Sequence, residues 1–489
     1  MSLSAHARRI LDHIWGPTGS VILHIIIVIL LIEFMVFKVQ EKQAEIEVFM
    51  MDPDAQDLEE FEKELELLED IPEVQDQISP DVNIEMEAPP DPTQFDSPEP
   101  EMDLSALNIM DDVKSPLVMK GLFAGRSASG RAAMLGKHAG RWGAYTEPAV
   151  IKALEWLKNH QLENGSWNAQ GGSGGGDKPA AMTGLALLAF LAHGETTSSE
   201  KYGRTVERAI KYLVSTQKPD GMFCRPRADN SEYIHGIATY AISEAYGLTR
   251  IPALKDSMER AVDVIMKGQQ PIGSWNYFYE KNARYDTSVT GWQLQALKAA
   301  YIAGASNPGL KACTDKSVEY LRKAQFADTG RFAYRSDETK PGRWVAGSNS
   351  QAPTAAAVLC MQLLGYGNTT EAKKGSVYLR SATCKWSREE TDYYPLYEWY
   401  YVTQAKFHEG GQQWSSWNNE FARVLVKEQN EDGSWISPGQ NETPYGPVYG
   451  TVFCALTLQV YYRFLPTYQT IDVEPVDETD DDDVVVEII

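Results

Sequence analysis

The sequence predicts an all-α fold: a single (α/α)6 toroid of six helical hairpins, preceded by one transmembrane helix and a disordered acidic linker. Three observations predict it. A short phrase of Gln, Gly and an aromatic residue recurs through the last two-thirds of the chain. Each copy ends a half-apolar helix and leads into a helix that is apolar nearly all round. Near the N-terminus, one apolar run is long enough to cross a bilayer.

The elements follow in order. Residues 1–18 carry Arg8 and Arg9 and form the cytoplasmic N-terminus. Residues 19–37, GSVILHIIIVILLIEFMVF, are the anchor. At 1.5 Å per residue such a run spans the hydrocarbon core. Positive charge before it and acidic charge after it orient the chain. The expectation is a single-pass, uncleaved inner-membrane anchor, with everything beyond Lys38 on the periplasmic side. Ser20 and His24 stand one helical turn apart on one face, and Leu31 continues it. An ionisable residue within a span is a functional candidate by default. A histidine hydrogen-bonded near the bilayer edge gives the same pattern. This Ser-x3-His-x6-Leu spacing resembles the anchor of TonB-type energy-transducing proteins, in which the His faces an ExbB–ExbD-type proton channel. The resemblance implies such channel subunits as partners and Ser20 and His24 as the coupling residues.

Residues 38–114 form the linker. Between Val39 and Lys114 there are 25 Asp and Glu against three Lys. Such a segment buries too little apolar surface to offset its ordering entropy. Leu58, Phe61, Leu65 and Leu68 make one narrow apolar seam within it. Seven prolines from Pro72 to Pro100 then favour an extended spacer, with a reach on the order of 100–200 Å. A lead-in segment, residues 115–145, connects it to the toroid at 146–470. Residues 471–489 are a second acidic arm with nine acids and no base. The net charge of −23 therefore describes the arms, because residues 115–470 have 39 Lys and Arg against 32 Asp and Glu. Acidic arms compete with phosphate for any basic face, which argues against a nucleic-acid partner. Cys224, Cys313, Cys360, Cys384 and Cys454 show no C-x-x-C pair and leave any pairing open.

The repeats carry the fold. Gln161–Trp167 recurs as Gln217–Phe223, Gln269–Trp275, Gln325–Phe332 and Gln429–Trp435, at steps of 56, 52, 56 and 104 residues. The double step hides a degenerate copy near Val377–Trp386, which makes six units. In the first unit Val150, Ala153, Leu154 and Leu157 form the stripe of an outer helix. Val206, Ala209, Ile210 and Leu213 repeat it, as do Met258, Ala261, Val262 and Ile265. In the phrase itself, Gln serves free carbonyls at the helix end, Gly permits the reversal and the aromatic covers the junction. Segments such as MTGLALLAFLA and PTAAAVLCMQLLG are the buried inner helices. Six such hairpins close on themselves and leave no uncovered end.

Q-x-x-x-G-x-W is the QW-type repeat of squalene cyclases, and Glu147–Tyr468 resembles that terpene-cyclase and protein-prenyltransferase superfamily. Within it, the chain is most similar to membrane-anchored bacterial prenyltransferase/squalene-oxidase-repeat proteins. Gly121–Arg131 and Leu458–Thr470 share in that similarity. The resemblance implies an isoprenoid-processing enzyme as one reading. The family's cyclases need an Asp-x-Asp-Asp acid, and the one match here, Asp480–Asp483, lies in the acidic tail. Its prenyltransferases bind zinc through Asp-x-Cys and a later His. Here Asp286-Thr287-Ser288 keeps the Asp alone, and Gly450 falls where the His belongs. No metal or cofactor is expected.

Polar and aromatic residues at inner-helix starts would ring the mouth of a central cavity: Tyr233, His235, Asp286, Tyr394, Tyr397, Trp399, Tyr445 and Tyr449. Aromatic walls suit an isoprenoid, and suit a glycan or a peptide nearly as well. Asp286 and His235 are the candidate acids. Asp286 reads first as an N-cap, and His235 is more often a satisfied, half-buried histidine than a general base. The first functional reading is a tethered toroid that binds a ligand or partner in its cavity and couples to a proton channel. The alternative is the isoprenoid enzyme.

Overall fold

The computed structural model describes residues 126–463 apart from 170–177, 225–230, 280, 282–284, 337–342, 348–349 and 389–393. The expected anchor, linker and tail, with Ser20 and His24, lie outside the described residues. No helix among these is long and apolar enough to cross a membrane.

The described chain is an (α/α)6 toroid. The outer helices are α2 (Gly143–Asn159), α4 (Gly203–Thr216), α6 (Pro252–Gly268), α8 (Leu310–Lys323), α10 (Thr370–Tyr378) and α12 (Gly411–Lys427). The inner helices are α3 (Pro179–Ala192), α5 (Ser231–Thr249), α7 (Thr287–Ala303), α9 (Ala352–Leu363), α11 (Pro395–Glu409) and α13 (Gly446–Leu458). A lead-in helix, α1 (Ala128–His138), and a final turn, α14 (Val460–Arg463), complete the set. The outer helices behave as their stripes require: α4 buries Val206, Ala209, Ile210 and Leu213 and leaves Arg204 in water. In contrast α3 is buried at every position from Ala180 to Ala192.

Each inner helix packs on the next, and α13 packs back on α3. The outer ring closes too: Gln429 donates to Ala149 O at 2.9 Å, and Trp156 Nε1 donates to Asp432 at 3.0 Å. Closure buries a face that an open superhelix would leave wet.

The repeated phrase is a staple between neighbours. Gln161 Nε2 donates to Gly165 O in its own turn and to Thr205 O of the next outer helix. Gln217, Gln269, Gln325 and Gln429 do the same, the last onto the first hairpin. The expectation that Gln serves its own helix end is thus corrected: its partners are the turn and the neighbouring unit. The glycine has to be one. Gly273 has φ +106°, and a Cβ there would meet Lys316 O at 2.1 Å. Trp167, Trp275 and Trp435 each donate from Nε1 to an outer-helix carbonyl at 2.8 Å. Their backbone amides donate to the Oγ1 of Thr183, Thr290 and Thr451 on the inner helices.

The fifth hairpin departs from this pattern. Its outer helix has nine residues and its junction lacks Gln and Gly. Cys384 N donates instead to Glu420 of the next outer helix, and Trp399 of α11 donates back to Thr383 O. Trp386 tilts against Trp399 with ring centroids 5.8 Å apart.

All the repeat turns and inner-helix starts lie at one end of the ring. The other end is closed by α1 and α14, where Arg126 pairs with Glu244 and donates to Arg463 O. The bore between them is filled. Trp292 of α7 stacks on Tyr400 of α11 at 5.8 Å, and Gln295 Nε2 donates to Tyr401 OH at 2.9 Å. In the ring α9 stands between α7 and α11, so direct contact of those two means that side chains bridge the hollow. Arg463 also lies over the rings of Tyr240 of α5 and Tyr400 of α11, at 5.6 and 5.5 Å on opposite hairpins, and the expected central cavity is reduced to a recess at the open end. All five cysteines are unpaired.

Candidate functional site

The recess is built from inner-helix starts. Asp286 begins α7 in extended conformation, and its Oδ1 accepts from Ser288 N and Val289 N at 3.0 Å. It is thus the N-cap and is fully buried. Its carboxylate lies near enough to Tyr233 and Tyr397 to raise both phenol pKa values, after burial, which is the larger cause. Tyr233 stands on the second hairpin and Tyr397 on the fifth, directly opposite in a ring of six. Tyr277, Tyr397 and Tyr334 also raise the Tyr233 phenol. These side chains therefore converge over the ring axis. The Tyr277 and Tyr334 hydroxyls share a 2.7 Å hydrogen bond, and the rings of Tyr233 and Tyr277 are 5.7 Å apart. All four tyrosines stay half-buried, so solvent reaches them. Desolvated hydroxyls on rings that still touch water describe the floor and walls of a recess.

Beside it lies Glu442, with no exposed surface. Its carboxylate accepts from Leu396 N, Tyr397 N, Ser437 Oγ and Tyr449 OH. It caps α11 from the next hairpin and holds Tyr449, which stacks on Tyr445 at 5.1 Å. Burial raises its pKa to about 7 despite those four donors. Lys178 sits 5.6 Å over the Tyr445 ring at the rim.

The candidates divide accordingly. Tyr233, Asp286 and Tyr397 meet over the axis, with Tyr449 and Tyr445 alongside through Glu442. Tyr394 is 43% exposed on the outer rim. Trp399 is buried in the fifth junction. His235 lies behind the recess, fully buried: Nδ1 accepts from Phe223 N at 3.3 Å, and Nε2 donates to Ala261 O at 3.0 Å. It stands where threonines stand in four of the other hairpins, and burial lowers its pKa to about 4. It is a neutral structural group and not an acid facing a ligand. Sequence reasoning missed Tyr277, Tyr334 and Glu442, which sit in loops outside the helical periodicity. A signal existed for Glu442, which lies three residues before Tyr445 in the loop that leads to α13.

A thiolate zinc set does not fit these residues. A Cβ at Gly450 would meet Trp435 O at 2.3 Å, so no side chain, His included, is accommodated there. Among the described residues, no group of three His, Cys, Asp or Glu gathers as metal ligands.

Comparison with known proteins agrees with the ring. Residues 133–241 match the squalene-hopene cyclase C-terminal domain family. The α-1,6-mannanase GH76A of Salegentibacter sp. HEL1_6 is 14% identical and superposes over 66% of this chain and 99% of its own, with a TM-score of 0.50. The GH76 α-mannanase of Bacteroides thetaiotaomicron is 8% identical over 68% and 98%, also at 0.50. The type II terpene cyclase MstE of Scytonema is 12% identical over 66% and 99%, at 0.45. No curated protein matches the chain significantly. At these identities the likeness to the mannanases is one of fold.

Proposed function

We propose that the protein is a ligand-capturing toroid, with the tyrosine-lined recess at its open end as the binding site. One observation carries this reading: phenols from opposite hairpins converge over the ring axis, desolvated yet reachable, above a bore that is filled. Binding sites favour such concave aromatic surfaces with a few placed polar groups. Native mass spectrometry of the full chain extracted with its lipids tests it. Tyr233→Ala with Tyr397→Ala should remove a co-purifying ligand that the parent protein retains. Equal ligand in both would sink the reading.

The tether extends this proposal. The described chain begins and ends at the closed end of the ring, opposite the recess. A periplasmic toroid on an inner-membrane anchor, coupled through Ser20 and His24 to ExbB–ExbD-type subunits, fits that layout. In cells, His24→Ala at normal expression should then reproduce the phenotype of deleting the gene; an unchanged phenotype rejects coupling. The cyclase-family match over residues 133–241 favours the second reading, an isoprenoid-processing enzyme. Turnover of a polyprenyl substrate, abolished by Asp286→Asn, would establish it in place of simple capture.

A further inference from the structure

We propose that the deep end of the recess takes a neutral carbonyl oxygen, the C=O of a ketone, ester or amide on an otherwise apolar ligand, which accepts from the Trp292 indole N–H and the Tyr397 hydroxyl. This rests on the recess being the binding site argued above.

The count of protons leads there. Trp292 is 1% exposed, and its Nε1 closes no hydrogen bond. An indole N–H only donates, and a buried donor left unmade is costly. The indole is not at liberty to turn towards a partner: its face stacks on Tyr400 at 5.8 Å, and Tyr401 meets it edge-on at 5.9 Å. The Tyr397 hydroxyl lies among Trp292, Ser288 and Tyr401, and it too closes no hydrogen bond. Tyr401 adds a further proton, because its oxygen accepts from Gln295 Nε2 at 2.9 Å and its own hydrogen is left to donate. The hydroxyls of Ser288, Tyr397 and Tyr401 pass protons along a chain, each to the next. The proton at the end of that chain and the indole N–H are then left over. A carbonyl oxygen has two lone pairs and no hydrogen, and it takes both.

Neither donor atom is exposed, so the carbonyl enters as the Tyr397 side chain moves aside. Tyr397 is half-buried on the recess wall, whereas Trp292 is clasped on both sides, so Tyr397 is the one that yields. The apolar body of the ligand then meets the ring faces of Tyr233 and Tyr397. Other chemistries fit less well. An alcohol brings another proton to a place with a surplus of them. A hydrocarbon brings no acceptor, and an ammonium or guanidinium group has only donors. A carboxylate leaves its water to enter a buried site that already feels the Asp286 charge.

The test is calorimetric titration of the full-length protein in nanodiscs with methyl naphthyl ketone, its alkene isostere isopropenylnaphthalene, and naphthoate. The ketone should bind about tenfold more tightly than the alkene, the scale of one or two net hydrogen bonds. Trp292→Phe keeps a stacking ring and removes the N–H, and Tyr397→Phe keeps the wall and removes the hydroxyl. Each should weaken the ketone about fivefold and leave the alkene unchanged. The infrared carbonyl stretch of the bound ketone should lie at lower frequency in the parent protein than in either variant. If ketone and alkene bind equally, or naphthoate binds best, the carbonyl is wrong and the recess stands. If both variants hold the ketone as the parent does, the two donors serve a buried water only; if ketone and alkene weaken together, they serve packing only. Either result overturns the carbonyl. If none of the three probes binds, the recess reading falls as well.

Discussion

Two buried ionisable residues show how individual side chains set the behaviour of the ring. His235 is held neutral by burial, its pKa lowered from 6.5 to about 4. Its depressed value means that it must be uncharged to fold. Stability from this site is present above pH 6.5 and is lost as pH falls towards 4. Glu442 runs the other way, raised from 4.5 to about 7. Its contribution is full below pH 4.5 and is lost as pH rises through 7. Each is worth about 3 kcal/mol over its range at 1.36 kcal/mol per pKa unit, so the two nearly cancel between pH 4.5 and 6.5. Burial also lowers His408, to about 3, so the parent protein should gain stability as pH rises across that window. Glu442→Gln should steepen that rise, and His235→Gln should flatten it. Urea unfolding at half-unit pH steps measures both; parallel profiles in all three proteins would refute the assignment. The sequence made His235 a candidate acid because its type and position at an inner-helix start both suited one. What decides its role is Phe223 N, a backbone amide twelve residues away that needs an acceptor. Nothing in the spacing of side chains announces that need.

At the scale of the hairpin, the repeat phrase was legible because every copy obeys the same constraint. A Gln, a left-handed Gly and an aromatic residue are the residue types that a staple between two helices requires. The fifth hairpin was not legible. Its inner helix α11 reads PLYEWYYVTQAKFHE, which looks too polar to be buried, yet Glu398, Thr403, Gln404 and Lys406 are all buried. Glu398 accepts from Gln351 N and Ser350 Oγ, so it caps α9 as Glu442 caps α11; Thr403 Oγ1 accepts from Trp417 Nε1, Gln404 Nε2 donates to Tyr400 O, and the Lys406 ammonium lies over the Trp417 ring. Capping from the following hairpin is a long-range bond that helical periodicity does not encode. The staple itself gives a graded prediction. Gln269→Ala removes donors to Gly273 O and Cys313 O and should cost about 1–3 kcal/mol. Gly273→Ala should cost more, because it adds backbone strain at φ +106° to a direct clash with Lys316 O. Gly136→Ala, in α1 with open space around it, should be neutral or stabilise by about 0.5–1 kcal/mol. An order of Gly136, Gln269, Gly273 in denaturation midpoints supports the staple, and equal effects at Gln269 and Gly136 contradict it.

For the whole molecule, the question is what joins the first and last parts of the ring to the lead-in helix α1. Arg126 pairs with Glu244, and a second cluster surrounds His193. Arg131 of α1 and His193 both bond Glu147 Oε1, at 3.0 and 3.2 Å, while His193 Nδ1 meets Glu195 at 2.7 Å. Tyr462 of α14 donates to the other Glu147 oxygen at 3.0 Å. Four elements from both ends of the described chain are thereby tied at one carboxylate. Burial opposes charge on His193, but its bonds to Glu147 and Glu195 outweigh that and raise its pKa. The same contacts lower both glutamates, again against burial. The imidazolium's contribution is therefore full below pH 6.5 and is lost as pH rises through its raised value. The carboxylates' contribution is full above pH 4.5 and is lost as pH falls through their depressed values. The latch is tightest between those limits. Glu147→Gln takes the carboxylate from half-buried Arg131 and should cost about 1–3 kcal/mol, whereas Glu155→Gln breaks surface pairs with Lys158 and Lys201 and should cost under about 1 kcal/mol. Because this cluster and Arg126 hold the first turns of α1, while Trp414 Nε1 holds its last turn at His138 O, the loss should be local before it is global. Amide exchange in Ala128–His138 should accelerate in Glu147→Gln while that of the buried helix α5 stays slow, and in the parent protein α1 should loosen on the alkaline side of the His193 titration. If α5 loosens together with α1, the lead-in helix is part of the cooperative ring and not a latch upon it.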